Sequence, residues 1–239
     1  MNSVANKAAL AFALAVGVCA AGSAKDFEGL AILRIEAKGN ASESVGYIKG
    51  EKMKTVPSAA GQALQAMQAE MGIDGYPIID FKAKKVSIVS TKDKYYLDMA
   101  LDPFIKAIDQ KAVKVKRSGK SEVIAGHEAE EWVLDEAADG VRISLWATKD
   151  YSLGINIFVS MQKLFPVEGL ALGRAAKAVI AQGLMPLKAT ASGADGVTTL
   201  AWEVRELTEK KLADSELAIP AGYDKMSDVL KKNRKSKGR

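Results

Sequence analysis

The sequence predicts an α+β fold built on one antiparallel sheet of about nine or ten strands, with helical insertions. Three observations point there. Runs alternating apolar and polar residues recur along the chain, glycine-containing turn signals join them in pairs, and two stretches switch from a period of two to helical spacing.

The chain opens on a segment of another kind. Lys7 precedes the apolar run 8–18, and small residues ending in Gly22-Ser23-Ala24 follow it, the order of a cleavable secretory signal. About a dozen apolar residues are too few for a membrane-spanning helix, which takes roughly 20. Residues 1–24 therefore read as a signal peptide, and the working protein as periplasmic or secreted after cleavage near Ala24. Cys19 sits where a lipoprotein carries its acylated cysteine, but the bulky Val18 before it fits that role poorly. It is the only cysteine, so a chain beginning at Lys25 has neither a disulfide nor a thiolate metal site.

The remaining 215 residues are enough for one β-rich domain. Gly39-Asn40 separates an expected strand over 27–37 from one over 42–56. Asp139-Gly140 joins 122–135 to 141–148, and Asp195-Gly196 joins 187–192 to 197–207. Gly, Asn and Asp accept the positive φ that tight hairpins demand. The Asn40-Ala41-Ser42 sequon is read as part of its turn. Leu200, Trp202 and Val204 alternate with Thr199, Glu203 and Arg205, as a half-buried strand requires, and Val113 and Val115 repeat the pattern between lysines. Short strands are expected over 78–81, 86–90 and 95–99, with lysine-rich turns between them.

Ala60, Leu64, Met67 and Met71 recur at helical spacing. A longer break runs over 152–183. Ile155, Phe158, Val159, Met161 and Phe165 predict an apolar helix over 152–165. After Pro166, Leu172, Ala176, Val179 and Ile180 predict a second over 167–182, stopped by Gly183.

The net charge of +5 is a property of one end. Lys231, Lys232, Arg234, Lys235, Lys237 and Arg239 lie in the last nine residues with no anion among them, whereas 25–230 carries 27 cations against 29 anions. The chain thus divides into a signal (1–24), a β-domain (25–230) and a basic tail (231–239) expected to be disordered. Such a tail is either solvated or laid on an anionic surface such as a membrane.

Catalytic signals are weak. His127 to Glu131 resembles the start of a zinc-peptidase helix, but Glu131 replaces the second histidine, and the segment is β-compatible. His127, the only histidine, is the one side chain of its kind available as a base, and no Gly-x-Ser-x-Gly elbow accompanies it. Glu130 and Glu131, as neighbours on a strand, point to opposite faces. Gly169-x-x-x-Gly173 is too short for a phosphate loop and better serves close helix approach. Basic and aromatic residues do not interleave as in nucleic-acid readers. No enzyme activity, cofactor, metal site or nucleic-acid partner is expected.

Several strings in order resemble one bacterial exported family, domain of unknown function family 4412. They are Tyr47-Ile48-Lys49-Gly50-Glu51-Lys52-Met53-Lys54, Ile78-Ile79-Asp80, Tyr95-Tyr96-Leu97-Asp98-Met99, the run Ile124 to Trp132, Leu145-Trp146-Ala147-Thr148-Lys149 and Ile219-Pro220-Ala221-Gly222-Tyr223-Asp224-Lys225-Met226. His127 stands where the family often has Tyr, and Ala129 where it often has Cys. The resemblance implies a fold like that of periplasmic lipoprotein carriers: a curved antiparallel sheet, a half-open β-barrel, with helices covering its concave face.

From these readings the leading expectation is a non-enzymatic envelope protein that sequesters a lipid or other apolar ligand between sheet and helices. Ile155, Phe158, Val159, Met161, Phe165, Val179 and Trp202 are the expected lining. The alternative is an envelope interaction module offering a sheet edge or the basic tail to a protein or to anionic lipid.

Overall fold

The computed structural model describes residues 24–37, 39–58, 75–136, 140–163 and 165–229. Of the signal peptide expected over 1–24, all but Ala24 lies outside them, as do the helix expected over 60–71 and the basic tail. In chain order the strands are Lys25–Asp26 (β1), Glu28–Ala37 (β2), Asn40–Lys49 (β3), Lys52–Pro57 (β4), Gly75–Asp80 (β5), Lys85–Ser90 (β6) and Tyr95–Ala100 (β7). Then follow Lys116–Ile124 (β8), His127–Glu136 (β9), Val141–Thr148 (β10), Tyr151–Ser152 (β11), Met185–Ser192 (β12), Thr198–Glu209 (β13) and Asp224–Lys225 (β14). Two α-helices, Asp102–Asp109 (α1) and Pro166–Ile180 (α2), and a 3-10 segment, Ile157–Lys163, complete the elements that position the candidate sites.

Twelve strands form one sheet in the order β14-β7-β6-β5-β4-β3-β2-β13-β12-β10-β9-β8, and β1 pairs with β11 apart from it. Two antiparallel meanders, β2 to β7 and β8 to β13, are thus joined at the β2–β13 seam, where Trp202 faces Ile35 and Leu200 faces Ala37. The sheet is curved and is not a closed barrel. Chain length alone demands curvature. In a flat sheet the ten steps from β7 to β8 would span about 48 Å. Residues 101–115 join those strands, and with α1 among them they reach roughly 40 Å.

Along the sheet the period-2 pattern puts Ala31, Leu33, Ile143, Leu145, Leu187, Ala189, Leu200, Trp202 and Val204 on one face, all buried. Helix α2 packs on that face against β10 and β12, while α1 and the 3-10 segment pack against α2. Pro166 starts α2, where its missing N–H costs nothing, and Gly183 follows it at φ 76°. The Gln162 amide donates to the carbonyls of Phe104 and Val159 at 3.2 and 3.4 Å, tying the 3-10 segment to α1.

Five expectations need correction. The run expected as one strand over 42–56 turns at Gly50, φ 54°. The one expected over 122–135 begins earlier and turns at Ala125-Gly126, with φ 50° and 84°. These extra hairpins, with the short β14, raise the strand count above nine or ten. Residues 113–115 keep their alternating burial but pair with no strand among the described residues. The helix expected over 152–165 has no α-helical residue among those described. Tyr151 and Ser152 are drawn into pairing with Lys25 and Asp26, and the chain turns helical at Ile157 as 3-10. Asn156 sets that turn, accepting from the Phe158 N–H and donating to the Gly173 carbonyl at 2.6 Å. Helix α1 was not expected; its signal is Asp102-Pro103 ahead of Phe104, Ile105 and Ile108.

Candidate functional site

The expected lining lies inside the protein. Ile155, Phe158, Met161, Val179 and Trp202 are buried in the main cluster, with Phe165 half-buried against it, and Val159 is buried in a smaller cluster with Ile79, Val86, Leu101 and Ile108. Phe158 stands edge-on to Trp202, ring centroids 5.0 Å apart. Helix α2 approaches its neighbours closely because it carries glycines there. A Cβ on Gly169 would lie 2.8 Å from the backbone of Met161 and Gln162, and one on Gly173 would lie 2.6 Å from Ile108 Cδ1.

His127 opens β9, so Glu131 is four strand residues away rather than one helical turn. Its Nδ1 lies 2.8 Å from Asp150 Oδ2, and its ring stands edge-on to Tyr151 at 5.1 Å. The Tyr151 hydroxyl donates to Glu209 at 2.6 Å, Lys25 pairs with the same carboxylate, and Ser152 donates to Asp26. The hydrogen bond to Glu209 and burial push the Tyr151 phenol up to about 12. Lys25 and Tyr151 in turn hold Glu209 below the usual carboxylate range. An imidazole on a carboxylate is the beginning of a base, but both hydroxyls of this cluster are engaged. The cluster is a clasp joining β1 and β11 to the start of β9 and the end of β13.

The sheet face opposite α2 is polar. Lys188, Glu203 and Arg34 stand in register on β12, β13 and β2, a cross-strand row of alternating charge. With Glu36, Thr190 and Arg205 they line an open groove of about 290 Å³. Arg34 pairs with Glu36, and Arg205 with Glu203 at 2.8 Å. Lys188 reaches Glu122 at 2.6 Å and sits over the Trp146 ring, 4.6 Å from its centroid.

Beyond the groove the sheet ends at β8. Between Arg117 and Ser121 this strand carries three residues opposite the single Glu131 of β9, with Gly119 at φ 83°. The bulge folds over the Glu131 side chain, which is 7% exposed. Ser118 Oγ donates to its carboxylate at 2.6 Å, and Lys120 Nζ lies 3.7 Å away. Burial alone would raise Glu131, yet the hydrogen bonds of Ser118 and Ser144 and the charge of Lys120 bring it below the usual carboxylate value. Glu130, on the other face, meets Arg117 at 3.3 Å, and the guanidinium lies over the Trp132 ring. Sequence reasoning missed this edge, although the signal was present in residues 111–121, which hold five cations and no anion. The tail cations Lys231, Lys232, Arg234, Lys235, Lys237 and Arg239 fall outside the described residues.

No curated protein matches the sequence. Among solved structures, an uncharacterized conserved protein from Thermus thermophilus is similar at 10% identity and a TM-score of 0.47, over 82% of this chain and 88% of that one. MucB of the Pseudomonas aeruginosa MucA/MucB complex is similar at 11% identity and a TM-score of 0.48, over 84% of this chain and 58% of that one. PNGF-II is similar at 12% identity and a TM-score of 0.43, over 85% of this chain and 32% of that one. Likenesses at this level carry no functional inference. The family comparison is decisive: the family described as Domain of unknown function (DUF4412) matches residues 27–223, and the chain belongs to it.

Proposed function

We propose that this protein is a non-catalytic binding module of the bacterial cell envelope that takes a protein partner on the polar face and free edge of its sheet. One observation carries the choice of surface. The side chains suited to an apolar ligand are engaged with one another, Phe158 on Trp202 and α2 on the 3-10 segment at glycine distance. A ligand there would have to displace core contacts, each large side chain costing roughly 2 kcal/mol or more to expose. The groove across β2, β13 and β12 is open already.

A second reading has its own support. A connection as short as residues 101–115, joining the two ends of the sheet, supports a roof of α1 and its partners over the concave side of the curve. Helices roofing an apolar concave face are the arrangement of a carrier for an acyl chain. Native mass spectrometry of gently purified protein, with displacement of a fluorescent fatty acid, separates the two. A ligand-free protein that displaces nothing is expected; a co-purified acyl species would overturn the surface reading.

The partner itself is sought with a photo-crosslinker at Thr190 in cells. A single crosslinked protein that disappears in Lys188→Glu is expected, and crosslinking unaffected by that change would sink the groove. Deleting residues 231–239 tests the tail separately, through loss of binding to anionic liposomes. Export is part of the proposal, and the N-terminal sequence of the exported protein is expected to begin at Lys25.

A further inference from the structure

We infer that β8 is a docking edge for an extended acidic peptide, which adds to the sheet as a further strand. This rests on the surface reading above and names where and with what chemistry the partner attaches. β8 ends the twelve-stranded order, and no strand pairs with its outer side among the described residues. An unpaired edge offers a row of backbone N–H and C=O groups to an incoming chain.

Charge selects the occupant. Lys116, Arg117 and Lys120 on β8, and Lys114 two residues before it, are all exposed, and neither Lys114 nor Lys116 has an ion pair among the described residues. Lysines on an edge ordinarily guard it against pairing with copies of itself. The same field admits a strand of opposite sign. Past the bulge, Ser121, Glu122, Val123 and Ile124 pair regularly with β9, which leaves a straight run of backbone. Glu122 there is already taken by Lys188, and Val123 is 74% exposed, an apolar contact for one side chain of a partner strand. An anionic membrane would meet the cations but leave the backbone groups unpaired. A peptide satisfies both.

The test uses the full chain and a fluorescein-labelled octapeptide of alternating Glu and Val, followed by anisotropy at low salt. Saturable binding is expected. It should weaken at least tenfold in the double variant K114E/K116E, at least tenfold when alternate peptide nitrogens are methylated, and strongly in 0.5 M salt. Both lysines are exposed, and an unchanged urea midpoint will show that the variant is folded. Absence of binding would overturn the proposal and leave the lysines as an edge guard. Equal affinity for the methylated peptide would overturn strand addition. Binding to phosphatidylglycerol vesicles that K114E/K116E abolishes, with no peptide binding, would assign the strip to lipid. Crosslinking at Thr190 is scored in the same variant. If it persists while the peptide fails, the edge is wrong and the polar-face reading stands.

Discussion

At the scale of single residues, Glu131 shows what a strand pattern conveys and what it omits. Alternation correctly separates it from Glu130, but nothing local announces that a bulge thirteen residues upstream will fold over it. Glu131→Gln is expected to lower stability by about 1–3 kcal/mol, because a buried acceptor loses charge-assisted hydrogen bonds from Ser118 and Ser144. The unfolded carboxyl titrates near 4.5 and the folded one lower. Its contribution is therefore complete above pH 4.5 and lost as pH falls through the folded value. Urea midpoints at about pH 6 and about pH 3 should differ less in Glu131→Gln than in the wild type. Tyr151 runs the other way. Its phenol, ordinarily near 10, is held up to about 12, so its contribution persists to pH 10 and fades as pH rises towards 12. Burial raises the Tyr76 phenol as well, so in Tyr151→Phe the absorbance titration should lose the component near 12 but keep another late tyrosine. Sequence reasoning singled out His127, but its partner Asp150 lies 23 residues away and carries no spacing signal.

Among elements, the hairpins at Gly39 and Gly196 were legible because positive φ has few candidate residues. The hairpin at Ala125-Gly126 was not, since alanine at φ 50° contradicts its own preference and is held there by pairing on both sides. The 3-10 segment was misjudged for a related reason. Ile157, Phe158 and Val159 fit any buried backbone, and the choice was made by Asn156 and by β1 capturing Tyr151. Helix α2 was legible from Pro166 to Gly183, and the purpose of its glycines can now be tested. Gly169→Ala improves helix propensity by about 1 kcal/mol. It also drives a methyl to 2.8 Å from the Met161 and Gln162 backbone. Overpacking of that kind costs about 1–3 kcal/mol, so a net loss in the urea midpoint is expected. A midpoint that rises instead would show that α2 can move away from the 3-10 segment at no cost.

For the whole molecule, the antiparallel class was legible and the seam was not, since β2 and β13 meet across most of the chain with no local signal between them. The clasp near the start of β2 was equally hidden. Phe27 is buried against Tyr151, ring centroids 5.3 Å apart. A chain starting at Gly29 loses it together with β1, and is expected to be less stable by about 3 kcal/mol or more, read from its urea midpoint. Cleavage after Ala24 would leave the whole clasp in place, with Lys25 still able to reach Glu209. The β2–β13 seam also has a meaning in time. A chain delivered N-terminus first completes β2 through β7 while the strand that must cover the free edge of β2 is still unmade. Until residues 198–209 arrive, Ile32 and Leu33 stand on an unpaired edge. The protein's vulnerable interval is thus set by the order of its delivery, and a holding chaperone would find its target there.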